Sequence, residues 1–422
     1  MLELEPVDLF AIVLVLAALI GCINHLWIKL PPAIGMLLGS LVVSLLIVSS
    51  DHVLHLQVMQ WFRGTLDDAH LPRVFLNGVL ALLLFAGSLH VDVAELSLRR
   101  RTILLLATAG VIISATAFGW AMHYTYWLIG MSVPLVWCIV LGAILAPTDA
   151  VVVESLLHQI KLPQKLRATI LGESLFNDGA GVVLFLVALG VTQGDTYVLG
   201  HGTIIFALLR EIVGGALLGF VAGWLAALTL RQVTDEGLQL LVSLALVIVV
   251  YRLANLSEIS GPIAVVSAGL CLASPSQRFG IRPETRTMLV GFWSLLDQLM
   301  NTLLFLLMGL QILGLTITPI QLMPLAFFIP LAVFARLLSV ALPLFLTRES
   351  FADKVREIGV LTWAGLRGGI SIALALTLPA SPWRTDLLVV TYAVVVFTIV
   401  VQGLTIPGVL HAMYGAKSSS GQ

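Results

Sequence analysis

Long apolar runs separated by short polar breaks fill the chain almost from end to end. Wound as helices, such runs are long enough to cross the roughly 30 Å hydrocarbon layer of a bilayer. Taken in order they predict about thirteen spans, over 8–28, 31–50, 74–92, 102–123, 134–157, 166–192, 203–230, 236–254, 261–277, 288–314, 324–347, 357–380 and 386–411. The stretch from Asp51 to Arg73, with Trp61, Phe62 and several histidines, is too polar to span and reads as a surface loop with a short amphipathic piece. The first residues, Met1 to Glu5, have no basic segment, so the first run reads as a span and not as a cleaved signal. The fold class that follows is an all-α polytopic membrane protein.

Composition agrees, with 59% hydrophobic and 11% charged residues and a mean hydropathy of +1.05 over 422 residues. A net charge of -1 gives no reason to expect a nucleic-acid partner. Cys22, Cys138 and Cys271 lie within apolar runs without paired spacing and read as small buried hydrophobes. The basic residues set the orientation. With the N-terminus outside and the C-terminus in the cytoplasm, fifteen of the 22 lysines and arginines fall in the cytoplasm, Lys161, Lys165 and Arg167 among them. Only Arg63, Arg73, Arg252 and Arg384 fall outside, while Arg210, Arg336 and Arg367 lie within spans. No loop is large enough to form a soluble domain.

Thirteen spans divide into six, one linking span and six, so that spans five and twelve run in opposite senses, as inverted repeats require. Both are broken. Span five carries Ala146-Pro147-Thr148-Asp149, where Pro147 removes a backbone donor. Span twelve carries Gly365-Leu366-Arg367-Gly368-Gly369, where three glycines in five residues weaken the helix. Unwound backbone at that depth is tolerated where it lines a cavity or is buried in protein, and paired interruptions in two halves point to a transporter's binding site.

The stretch Gly172-Glu173-Ser174-Leu175-Phe176-Asn177-Asp178-Gly179 places two carboxylates in the sixth span. On a helix Ser174 and Asp178 share one face and Glu173 and Asn177 the neighbouring one. An aspartate at the bilayer centre costs about 2.5–3.5 kcal/mol on insertion scales, so it faces a cavity or a partner. Thr148, Asp149, Ser174, Asn177 and Asp178 form the candidate site, with Glu173 to one side. Their hard oxygens suit an alkali cation or a proton and not a soft metal. His25, His90, His123 and His158 lie near span ends and read as interfacial, Ser174 has no paired histidine for nucleophilic catalysis, and an aspartyl protease would lack its glycine-rich context. No cofactor is expected.

These three motifs resemble the NhaP-type sodium/proton antiporters of the monovalent cation:proton antiporter superfamily, which also contains the animal sodium/proton exchangers. The resemblance runs from the first span to the last. It implies that Asp178 carries cation (Na⁺ or Li⁺) and proton in turn, that Thr148 and Ser174 supply further oxygens, and that Asp149 and Asn177 orient the site and compensate exposed helix ends. It implies a structural ion pair between Glu173 and Arg336, with Arg367 as a second candidate partner or as a cap on the broken ends of span twelve. It implies a homodimer among membrane lipids, in a prokaryotic cytoplasmic membrane, moving by an elevator motion. In that architecture residues 1–101 and 194–315 form the dimerisation domain with the linking helix. Residues 102–193 and 316–413 form the moving core, and 414–422 is a disordered tail or an expression scar. The chain departs from the resemblance at Ala86, in Leu84-Phe85-Ala86-Gly87-Ser88, where many relatives carry an acid.

The expected function is secondary exchange of Na⁺ for H⁺. The same residues would also serve a K⁺/H⁺ exchanger, and a cation channel or sensor is the reading from another class. Because Asn177 cannot ionise, Asp178 alone is expected to exchange its cargo, one for one and without net charge.

Overall fold

The computed structural model describes residues 6–54, 78–90, 93–149, 153, 163–194, 203–274, 282–311, 321, 323–346 and 351–414. Most of the predicted surface loop, His158, Lys161 and the tail beyond Tyr414 lie outside the described residues. The helices are α1 (Pro6–Ile23), α2 (Pro32–Leu54), α3 (Leu80–His90), α4 (Val93–Leu105), α5 (Val111–Leu128), α6 (Leu135–Ile144), α7 (Gln164–Thr192) and α8 (Thr203–Gln232). They continue with α9 (Glu236–Leu256), α10 (Gly261–Ala273), α11 (Pro283–Leu310), α12 (Leu325–Phe345), α13 (Phe351–Trp363), α14 (Gly369–Leu376), α15 (Arg384–Phe397) and α16 (Gly403–Tyr414). Among the described residues nine helical stretches are long and apolar enough to cross a membrane. The other predicted spans appear as the shorter helices α3, α6 and α10 and the broken pair α13 and α14.

Among the described residues, π-helical turns at Asn24–Ile28, Leu106–Gly110 and Thr398–Gln402 join or extend these helices. The second fuses α4 and α5 into one rod that begins at Val93, ahead of the limit predicted at 102. The arginines at 99–101 therefore lie on a helix, and Arg99 pairs with Glu357 of α13 at 3.5 Å. Cys138 and Cys271 are buried, but Cys22 is exposed, contrary to expectation. It lies on α1 near the exposed Leu19 and Ile23, on a helix apolar all round whose sequence does not mark which side faces inward.

The helices pack as two groups. In one, α8, α9 and α3 pack against α10, while α2 and α3 pack against α11. Gly215, Gly219 and Gly223 form a stripe on α8, and a Cβ at Gly215 or Gly223 would lie 2.7 Å from the Ser260 or Ala268 carbonyl oxygen of α10. These glycines let two backbones approach closely where lipid supplies no hydrophobic drive to associate. In the other group, α4 to α7 and α12 to α16 surround the two broken spans.

Candidate functional site

Helix α6 stops at Ile144 because Pro147 lacks the amide that another turn would need. Helix α13 ends at Trp363, and α14 starts again at Gly369. The two unwound stretches meet where the Asp149 amide donates to the Leu366 carbonyl at 2.8 Å. Glycines make that meeting possible. A Cβ on Gly368 would strike the carboxylate of Asp149, and one on Gly365 would strike the Arg336 side chain. Pro147 in turn rests against Gly181 of α7.

Gly368→Ala is therefore expected to destabilise the protein by about 1–3 kcal/mol, since the new methyl would lie 2.5 and 2.6 Å from Asp149 Cγ and Cβ. The control is Gly291→Ala in α11, where the added Cβ meets nothing within 4 Å. Equal melting temperatures for the two variants would contradict the close approach.

Each open helix end receives a polar group from the other half. Arg367, buried, donates from Nη1 to the Ala146 and Pro147 carbonyls at 2.6 and 2.9 Å, covering the negative end of α6. The Asp149 carboxylate stands against Gly368, at the positive end of α14. Thus Arg367 neither pairs with Glu173 nor caps its own span, as its sequence position suggested. It reaches across to span five, because the crossing brings it nearer to the orphan carbonyls there than to those of α13.

Helix α7 holds the crossing from one side. Asn177, fully buried, donates from Nδ2 to Thr148 Oγ1 at 2.7 Å and accepts the Thr148 amide at 3.2 Å. Ser174 Oγ lies 3.0 Å from Thr148 Oγ1. Span thirteen repeats the device, since Thr398 Oγ1, in its π turn, accepts the Arg367 amide at 3.1 Å. The sequence had no signal for Thr398. Only the repeat pairing of spans five and six with twelve and thirteen could have found it.

Glu173 takes a two-pronged contact from Arg336 of α12, Nη2 to Oε2 at 2.9 Å and Nη1 to Oε1. Arg336 also donates to the Leu361 carbonyl, from Nη2 at 3.1 Å and Nε at 3.3 Å. Asp178 is buried one turn from Ser174. Its carboxylate makes no hydrogen bond or ion pair to any other described residue, and the charged group it feels is Asp149. The arrangement thus leaves one carboxylate uncommitted at the crossing, beside a cluster of hydroxyl and amide oxygens that can strip water from a small cation.

Residues 12–412 match the family model described as sodium/hydrogen exchanger, transmembrane. The chain is 36% identical over 417 residues to the Na(+)/H(+) antiporter NhaP of Pseudomonas aeruginosa, with 97% of each chain covered. It is 30% identical over 384 residues to the Na(+)/H(+) antiporter NhaH of Halobacillus dabanensis, covering 90% of this chain and 91% of that one. Its structure matches the sodium proton antiporter MjNhaP1 of Methanocaldococcus jannaschii with a TM-score of 0.74 over 99% of both chains, at 21% identity, which is a likeness of fold.

Proposed function

We propose, from the premise that this chain belongs to the sodium/hydrogen exchanger family, that it exchanges Na⁺ (or Li⁺) for H⁺ across a bacterial cytoplasmic membrane. The named relatives are transporters and not enzymes. The observation that carries the reading is Asp178, buried in mid-helix without a hydrogen-bonding partner among the described residues and next to the Thr148, Ser174 and Asn177 oxygens. Asp178 holds a proton or a partly dehydrated cation, never both. Acidification therefore weakens the apparent affinity for Na⁺.

The charges around the crossing support an electroneutral cycle. Arg336 and Arg367 oppose Glu173, Asp149 and Asp178, which leaves one negative charge when all five are ionised. One proton or one monovalent cation cancels it, so both loaded states are neutral and cross the low-dielectric layer at little electrostatic cost. The group containing α4 to α7 and α12 to α16 is the moving core, and the group around α10 and α11 is the dimerisation domain of a homodimer. The core moves as an elevator against it, with the N-terminus outside and the C-terminus in the cytoplasm.

The test is Na⁺-driven proton movement in proteoliposomes, with and without a clamped membrane potential and with K⁺ in place of Na⁺. The expected result is Na⁺-dependent exchange whose rate and end point ignore the potential. A dependence on potential would mean that Asp149 or Glu173 also titrates, and ion flux without coupled proton flux would indicate a channel.

A further inference from the structure

Helix α11 carries an aspartate that the site described above does not use. Asp297 is the fifteenth of the 28 residues from Pro283 to Leu310. At about 1.5 Å per residue it lies about 20 Å from either end. Its side chain is too short to reach an interface, and a carboxylate at such depth is among the costliest groups to insert.

The direction it faces is defined. Leu295, Gln298 and Leu299 form the exposed side of α11. At 100° per residue Asp297 falls on the opposite stripe, with Trp293, Asn301 and Leu304. Trp293 is buried against Phe85 of α3, with ring centroids 4.6 Å apart, and its indole N–H donates to Ser243 of α9 at 3.1 Å. Buried Asn301 donates to the Asp297 carbonyl at 3.0 Å. Leu304 meets Gly369, the first residue of α14. Beyond it Leu307, Met308 and Gln311 share a small cavity with Ile372, Ala373 and Leu376, so α11 and α14 run side by side in the same direction. One to two turns before Leu304, Asp297 and Asn301 therefore lie level with the unwound stretch from Ala364 to Gly368. Although on the inward stripe, Asp297 keeps partial exposure. The stripe it shares with Leu304 is the one that meets α14 of the other group.

We propose that Asp297 is a positioning residue for the cation, a fixed negative charge on the stationary side that concentrates Na⁺ at the crossing and sets the apparent affinity without itself carrying cargo. This rests on the antiport reading above. A fixed charge acts on a cation approaching the crossing but not on the step that carries it, so it changes the Na⁺ concentration at half-maximal rate and not the maximal rate.

The experiment compares the parent with Asp297→Asn, Asp297→Ser and Asp297→Glu in proteoliposomes, titrating Na⁺ at fixed pH and recording thermal melting of each protein. The neutral variants are expected to raise the half-maximal Na⁺ concentration about tenfold, the scale of one partly screened charge interaction, with the maximal rate within about twofold. Asp297→Glu is expected to return it close to the parental value, which a merely structural role would not require. A parental half-maximal concentration in either neutral variant overturns the proposal. So does failure of both to fold, which would assign Asp297 to folding. Absence of Na⁺-driven exchange in the parent would sink the antiport reading instead.

Discussion

Asp178→Asn is expected to reduce Na⁺-driven proton movement at least about 100-fold while leaving a protein that folds and melts like the parent. The amide keeps the size and shape of the side chain but neither takes up nor releases a proton in the accessible range. It also offers no full charge to a cation that must shed water, which removes the main electrostatic attraction at the crossing. Folding should survive because the Asp178 carboxylate supports no hydrogen bond or ion pair among the described residues. Replacing it removes a buried charge and orphans nothing, so the melting temperature should hold or rise. The measurement is proton flux into dye-loaded proteoliposomes on addition of Na⁺, with melting followed in detergent. Near-parental exchange by a well-folded Asp178→Asn protein would remove Asp178 from the transport cycle.

The helices were legible because the apolar runs are long and their breaks polar. The broken spans were legible because proline and clustered glycine disrupt a helix for local reasons. Helical spacing placed Ser174 and Asp178 on one face of α7, but it grouped Asn177 with Glu173, whereas Asn177 and Ser174 both reach Thr148. Other features depend on which elements cross, and spacing along one helix carries no record of that. Glu173 had two candidate arginines 163 and 194 residues away; the resemblance favoured Arg336, which the geometry pairs with it, but only the geometry sends Arg367 to the carbonyls of Ala146 and Pro147. The π turns at Leu106–Gly110 and Thr398–Gln402 have no composition of their own, so the role of Thr398 was hidden. Cys22 was misjudged because a lipid-facing side chain and a core side chain are equally apolar. Asp297 was passed over in the sequence reading, and its meaning depends on α14 lying beside it.

Removal of either partner of the Glu173–Arg336 pair is expected to cost about 3–5 kcal/mol of stability, since each would leave the other as an unmatched buried charge. The two losses should not be equal. Glu173→Ala leaves Arg336 with the Leu361 carbonyl still within reach of Nη2 and Nε. Arg336→Ala strands the carboxylate, removes both donors to Leu361 and opens space beside Gly365, where the arginine stem now lies. Arg367 offers no substitute, because its guanidinium is committed to span five. Arg336→Ala should therefore melt lowest and Glu173→Ala next, with Ser174→Ala close to the parent. The double variant should lose less than the sum of the two single losses, because neither charge is then stranded. Thermal melting of the four proteins in the same detergent checks the order. Parental melting of both single variants would show that the contact contributes no stability. Full additivity in the double variant would show that the two residues act independently of each other.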